Sequence, residues 1–249
     1  MAGGAGAAGR PIFIVGFPRS GTTLVQRLLN ACRDTLILGE HAGLLAGWAA
    51  AWERARQLQA GGKLGQGLAR GDRGLYRWLP WLNPWTEEEL RAIFRRFVED
   101  LFCHAPNWGF KEVRYGGYDG GRTVPALVDL FPEARWVVVV RDPLATLTSV
   151  IARFHAGDER HVVPRSRAWA RTYRHLRREL ADRALVVRYE ELDVAAITAL
   201  VGQSPGEVHR RVLSARGGAA PAGSPSPAAR RAVWEEVKAE AIEWGYKEG

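Results

Sequence analysis

Two periodicities divide this chain. Residues 12–15 (Ile-Phe-Ile-Val) and 136–140 (Trp-Val-Val-Val-Val) are short, unbroken apolar runs. Runs of this length, rich in β-branched side chains, suit strands buried on both faces of a parallel sheet. Weaker runs at 35–38, 110–113 and 184–187 predict further strands. Between them the apolar residues recur three and four apart. Thr86-Glu87-Glu88-Glu89 has the capping-box pattern, and Leu90, Ile93, Phe94, Phe97, Val98 and Leu101 then keep helical spacing. Helices are also predicted after residue 21 and over 42–59, 124–131, 142–154, 165–180 and 229–244; the fifth carries Trp169, Tyr173, Leu176 and Leu180 on one stripe. Alternating strands and helices predict an α/β protein: a P-loop-type three-layer fold with a central, mainly parallel sheet flanked by helices.

Glycine, proline and tryptophan punctuate the pattern. Residues 1–9 are small and read as a disordered tail, leaving 10–249 as a single domain. Within it, about 41–106 reads as a helical, Trp-rich insertion covering an acceptor site. It holds a Gly-rich break at 61–74 and the patch Trp78-Leu79-Pro80-Trp81-Leu82-Asn83-Pro84-Trp85, whose alternative is local core packing. Residues 216–228 read as a loop, and no internal repeat is visible.

Composition changes this picture little. The 249 residues are 47% hydrophobic and 25% charged, as in an ordinary globular protein. The net charge of +8 is carried almost wholly by arginine and suits an anionic ligand, without separating a nucleotide from nucleic acid. Cys32 and Cys103 are too few for a disulfide framework and are expected to be buried thiols. The start lacks a signal-peptide pattern, and the apolar stretch at 42–52 is too short for a bilayer, so a cytoplasmic protein without a membrane partner is expected.

The first strand runs into Gly16-Phe17-Pro18-Arg19-Ser20-Gly21-Thr22-Thr23, followed by a helix. Glycines there let backbone N–H groups converge, and the helix adds its free amides and positive dipole end, a combination suited to phosphate. A Walker loop would place lysine where Thr22 stands. Here the cation is Arg19, inside the loop, whose planar fork reads two oxygens of a phosphate at once. Losing the lysine disfavours triphosphate chemistry.

Further features belong with this turn. Arg141 ends the 136–140 strand at the sheet edge where ligands of open α/β sheets bind, and Ser149 lies about two turns into the next helix. The pair suits a second phosphate, while Asp142 before Pro143 reads as a helix cap rather than a magnesium ligand. Glu40, after residues 36–39, and Lys111, in the 110–113 strand, would supply a base and a cation. Taken alone, they read as a helix-terminal charge and an ion-paired lysine. Tyr189 follows a strand end, where a ring could meet a base or simply line the core.

Together the GFPRSGTT turn, the VVVVRDP block with Ser149 and the VRYEEL segment resemble the sulfotransferases that use 3′-phosphoadenosine 5′-phosphosulfate, over about residues 11–246. Glu40 and Phe110-Lys111-Glu112 are more similar to the branch of bacterial enzymes and tyrosylprotein sulfotransferases than to the cytosolic aryl branch. The resemblance implies that Arg19, Ser20, Gly21, Thr22 and Thr23 hold the 5′-phosphosulfate. It implies a 3′-phosphate pair in Arg141 and Ser149, and an adenine neighbour in Tyr189. Glu40 falls on the base position and Lys111 on the catalytic lysine, with Arg19 sharing the developing charge. His41 and Glu112 are alternative bases, and Arg216 is a candidate in the loop enclosing the adenosine. Glu112 departs from the commoner aspartate. The product would be 3′,5′-adenosine bisphosphate, and no metal is expected.

Two rival readings remain. One is a P-loop nucleotide or small-molecule kinase, disfavoured by Thr22; the other is a basic nucleic-acid-binding module using the arginines between 165 and 178, more simply a solvated helix face. The expectation is therefore no nucleic-acid partner. The acceptor is expected to be a hydroxyl of a small metabolite or natural product, possessing aromatic or apolar character.

Overall fold

The computed structural model describes residues 9–60, 85–116, 121–155, 157–215 and 225–248. Five parallel strands form one sheet: β1 (Ile12–Gly16), β2 (Thr35–Leu38), β3 (Asn107–Glu112), β4 (Arg135–Val140) and β5 (Ala184–Arg188), in the order β2-β3-β1-β4-β5. Val15 of the central strand lies opposite Glu112 on one side and Val138 on the other. Chain segments leaving β1, β3 and β4 therefore emerge side by side at the carboxyl edge, where open α/β sheets place ligands.

Around the sheet pack α1 (Thr22–Asn30), α2 (Leu45–Ala60), α3 (Glu87–Phe102), α4 (Thr123–Leu130), α5 (Pro143–Phe154), α6 (Val162–Leu180), α7 (Val194–Ala199), α8 (Glu207–Ser214) and α9 (Pro227–Glu243). Strand alternation divides the core into two layers. Phe13, Phe110, Trp136 and Val138 meet Trp52, Trp169 and Tyr173 on one face; Ile14, Val137 and Val139 meet Val25, Leu28 and Leu29 of α1 on the other. The predicted three-layer architecture is thus present.

Local signals account for several boundaries. The Thr86–Glu89 capping box is formed at α3. Asp142 caps α5 by accepting the Ala145 N–H at 2.7 Å, with Pro143 at the first helical position. Several expectations need correction. The helix predicted from 42 begins at Leu45, because Ala42 and Gly43 adopt left-handed φ values of 55° and 78°. β3 starts at Asn107 rather than 110, where pairing with Thr35 of β2 extends it, and α6 starts at Val162 rather than 165. The short α7 and α8 carry too few turns for a helical period to register. Cys32 is buried, whereas Cys103 is only half-buried.

The arginine face of α6 is exposed, as predicted, and part of it is ion-paired. Arg167 pairs with Glu236 at 2.9 Å and Arg177 with Glu240 at 3.0 Å, so α9 neutralises part of it. Of the expected tail, residues 1–8 lie outside the described residues, and the Gly9 carbonyl accepts the Trp108 indole N–H at 2.9 Å. The Gly-rich break at 61–74, Trp78, Trp81 and Arg216 also lie outside the described residues, whereas Trp85 is described and exposed. Among the described residues no helix is long and apolar enough to cross a membrane.

Candidate active site

A single buried hydroxyl anchors the turn after β1. Tyr173 Oη accepts the Phe17 N–H at 3.3 Å and donates to the Val139 carbonyl at 2.8 Å, joining turn, β4 and α6. Burial pushes its pKa far up, so it stays a neutral donor. The Ser20 N–H closes the turn on the Phe17 carbonyl at 3.1 Å. Arg19 and Gly21 both adopt left-handed backbone, with φ values of 69° and 101°. A Cβ at Gly21 would lie 2.4 Å from Tyr189 Cδ2, so glycine is required by conformation and by space. The Leu24 and Val25 amides both bond the Gly21 carbonyl, and the earlier amides of α1 have no intrahelical acceptor. Ser20 Oγ is buried without a hydrogen-bond partner in the protein.

The second arginine joins the same cluster. Arg141 leaves β4 with its guanidinium carbon 4.6 Å from the Tyr189 ring centroid, and its Nη1 donates to the Arg19 carbonyl at 3.3 Å. Arg19 Nε donates to Ser149 Oγ at 3.0 Å, bridging the turn to α5. Arg19, Gly21, Arg141, Ser149 and Tyr189, scattered along the sequence, therefore converge on one patch of the sheet edge.

Glu40 and Lys111 meet at the neighbouring strand ends. Lys111 is in register with Ile14 of β1, and its Nζ lies 2.6 Å from Glu40 Oε1; Arg114 Nη1 reaches Glu40 Oε2 at 3.0 Å. Lys111 is 6% exposed and Glu40 34%, so the carboxylate is the more accessible partner. Partial burial pulls the Glu40 pKa up, but Lys111 and Arg114 together outweigh it and hold the carboxyl below its ordinary range.

The two alternative bases are more buried than Glu40. Glu112 is fully buried, and it accepts N–H groups of Val113 at 2.8 Å, Arg114 at 3.2 Å and Gly43 at 3.2 Å, fixing the left-handed turn beyond Glu40. His41 packs against Phe102, Phe110 and Tyr115, and its Nε2 is 2.7 Å from Tyr115 Oη. Burial pulls the His41 pKa down, and burial also pushes the Tyr115 phenol well up. Neither base competes with Glu40 in exposure.

Sequence reasoning missed Tyr173 and Arg114. In sequence Tyr173 is one member of a core stripe; nothing local signals that its hydroxyl bonds both the turn after β1 and strand β4. Arg114 was detectable as a second cation three residues after Lys111. Separately, a cavity of about 500 Å³ opens between α2 and α4 beside Trp52, Arg56, Arg122 and Asp129; part of its lining belongs to the 41–106 segment, and none of it is a predicted catalytic or donor-binding residue. Its charges are mutually paired, Arg56 with Asp129 and Arg122 with Glu53, both at 3.1 Å.

The five-stranded parallel sheet flanked by helices, with the turn after β1 at its carboxyl edge, defines an α/β protein. The chain belongs to the sulfotransferase family, whose family model matches residues 11–196. No curated protein matches it. Among solved structures it is similar to the sulfotransferase domain from the olefin synthase of Synechococcus PCC 7002, at 20% identity and a TM-score of 0.55, covering 96% of each chain. It is also similar to the sulfotransferase domain from the curacin biosynthetic pathway, at 14% identity and a TM-score of 0.56, covering 97% of this chain and 99% of that one. Sulfotransferase STF9 from Mycobacterium avium is 16% identical with a TM-score of 0.54, the match covering 98% of this chain and 79% of that one. At these identities the structural likeness concerns the fold.

Proposed function

We propose that this sulfotransferase takes its sulfuryl group from 3′-phosphoadenosine 5′-phosphosulfate and delivers it to a hydroxyl of a small metabolite or natural product. The observation that carries the donor is the 3.0 Å contact between Arg19 Nε and Ser149 Oγ, which joins the anion-binding turn to the Arg141 patch. Two anion sites so linked suit a nucleotide phosphorylated at both the 5′ and 3′ positions. The fit is supported by the buried, unpartnered Ser20 hydroxyl in the turn. Arg19, Ser20, Gly21, Thr22 and Thr23 would hold the 5′ end, Arg141 and Ser149 the 3′-phosphate, and Tyr189 the adenine side.

The donor supplies an activated sulfur–oxygen bond. Glu40 accepts the proton of the acceptor hydroxyl as that oxygen bonds to sulfur and the bond to the 5′-phosphate oxygen breaks. Lys111 and Arg19, with the turn amides, stabilise charge on the sulfuryl oxygens and on the departing bisphosphate. Residues 10–249 would act as one domain, with the insertion at about 41–106 over the acceptor and Arg216 near the adenosine.

The test is thermal stabilisation by 3′,5′-adenosine bisphosphate against ATP, followed by an acceptor screen with labelled donor. Selective stabilisation by the bisphosphate is expected. A preference for ATP would overturn the reading in favour of a kinase.

A further inference from the structure

Glu190 follows Tyr189 in the turn after β5, and its carboxylate is divided between two partners. Oε1 accepts the Asp142 N–H at 2.9 Å, and Oε2 accepts the Tyr246 hydroxyl at 2.9 Å. Asp142 is the residue immediately after Arg141, and its own carboxylate caps the helix that carries Ser149. The Asp142 main chain is thus the joint between the two members of the proposed 3′-phosphate pair.

Tyr246 is itself firmly seated. It is buried, its N–H donates to the Ala241 carbonyl at 2.9 Å, and Gly245 turns the chain before it with a φ of 82°. The Arg188 guanidinium carbon lies 4.9 Å from its ring centroid, while Arg188 Nη2 donates to the Gly245 carbonyl at 3.4 Å. Burial and the Glu190 carboxylate push the phenol upward, so it remains a donor. A continuous path of hydrogen bonds therefore runs from the end of α9 through Tyr246 and Glu190 to the Asp142 amide.

A carboxylate beside an anion site is electrostatically unfavourable, so its presence calls for a reason other than ligand binding. The geometry points to one: Glu190 and Tyr246 are positioning residues that set the 141–142 main chain, so that Arg141 and Ser149 together receive the 3′-phosphate of the nucleotide. Neither residue touches the nucleotide; they act through the Asp142 N–H. This inference rests on the proposed donor and concerns only its 3′ end.

The test measures dissociation constants for 3′,5′-adenosine bisphosphate and adenosine 5′-monophosphate; the monophosphate constant divided by the bisphosphate constant isolates the 3′-phosphate. Glu190→Ala and Tyr246→Phe should each reduce that ratio about three- to tenfold, the worth of one lost hydrogen bond, with monophosphate binding unchanged. Glu190→Gln should retain most of the ratio, because its amide carbonyl still accepts the Asp142 N–H. Equal weakening of both nucleotides would mean a merely structural role and overturn the inference. So would a Glu190→Gln variant that binds the bisphosphate more tightly than the native protein, which would show that charge, not position, matters. If Glu190→Ala does not fold, Tyr246→Phe decides alone, and an unmoved ratio there overturns the proposal. A native protein that binds both nucleotides equally would refute the donor reading, and this inference with it. A native preference that the variants leave intact would refute this inference alone.

Discussion

Lys111 Nζ lies 2.6 Å from Glu40 Oε1, joining two positions 71 residues apart in the sequence. They meet because β2 and β3 pair in parallel, with Leu38 opposite Phe110, so both residues leave adjacent strand ends. In this arrangement the proposed base is ionised but held by a cation that the proposed chemistry also requires. Donor binding would draw Lys111 toward new negative charge and relax its hold on Glu40.

Glu40→Gln should lower turnover on the order of 10²-fold or more while leaving 3′,5′-adenosine bisphosphate binding intact. Steady-state kinetics beside calorimetric titration would check both. Near-native turnover would exclude Glu40 as the base.

Lys111→Met should lower turnover about 10²- to 10³-fold through lost stabilisation of developing charge. It should also move the acid limb of the pH–rate profile. Glu40 titrates below its ordinary value of 4.5 because Lys111 and Arg114 together outweigh the upward pull of burial. Removing Lys111 leaves burial less opposed, so the Glu40 pKa rises and activity is lost at a higher pH as the medium is acidified. An acid limb that stays in place would show that Lys111 does not tune Glu40. The same sign governs stability: the native pair contributes above the unfolded carboxylate pKa, and its contribution fades as pH falls through the folded one.

Gly21→Ala should damage the turn twice. The left-handed φ of 101° strains any side chain, and the new methyl would meet Tyr189 at 2.4 Å. A stability loss of about 1–3 kcal/mol is expected, with bisphosphate affinity greatly reduced. Chemical denaturation and nucleotide titration would measure the two effects; unchanged binding would remove the turn from the ligand site.

Tyr173→Phe should cost about 2 kcal/mol, because it leaves the buried Phe17 N–H and Val139 carbonyl unpartnered. In a chain of this size that corresponds to a melting temperature lower by about 4–8 °C. Bisphosphate affinity should fall as well, since the turn loses its tie to β4. A variant as stable as the native protein would show that water replaces the hydroxyl.

Much of this was legible beforehand. Five apolar runs became the five strands of the sheet, and Thr86 and Asp142 cap α3 and α5 as their local sequence implied. These features depend on neighbours within a few residues, where propensity, spacing and capping chemistry act directly. The glycines of the turn were legible for the same reason. The family followed from motifs in fixed order, and the match over residues 11–196 bears it out.

What the order of residues alone determined is the set of elements and the chemical types available at their ends: a turn with an internal arginine, a second arginine after β4, a carboxylate and a lysine. Only the tertiary structure decided their partners. Strand order and parallel register brought Glu40 to Lys111 and Arg19 to Ser149, set Glu112 against the Gly43 N–H and His41 against Phe110, and put the Tyr189 ring against Gly21. Such contacts span 69 to 168 residues of chain, and no local period encodes them. They exist because burying two apolar faces of one sheet leaves a single edge where these polar ends can converge.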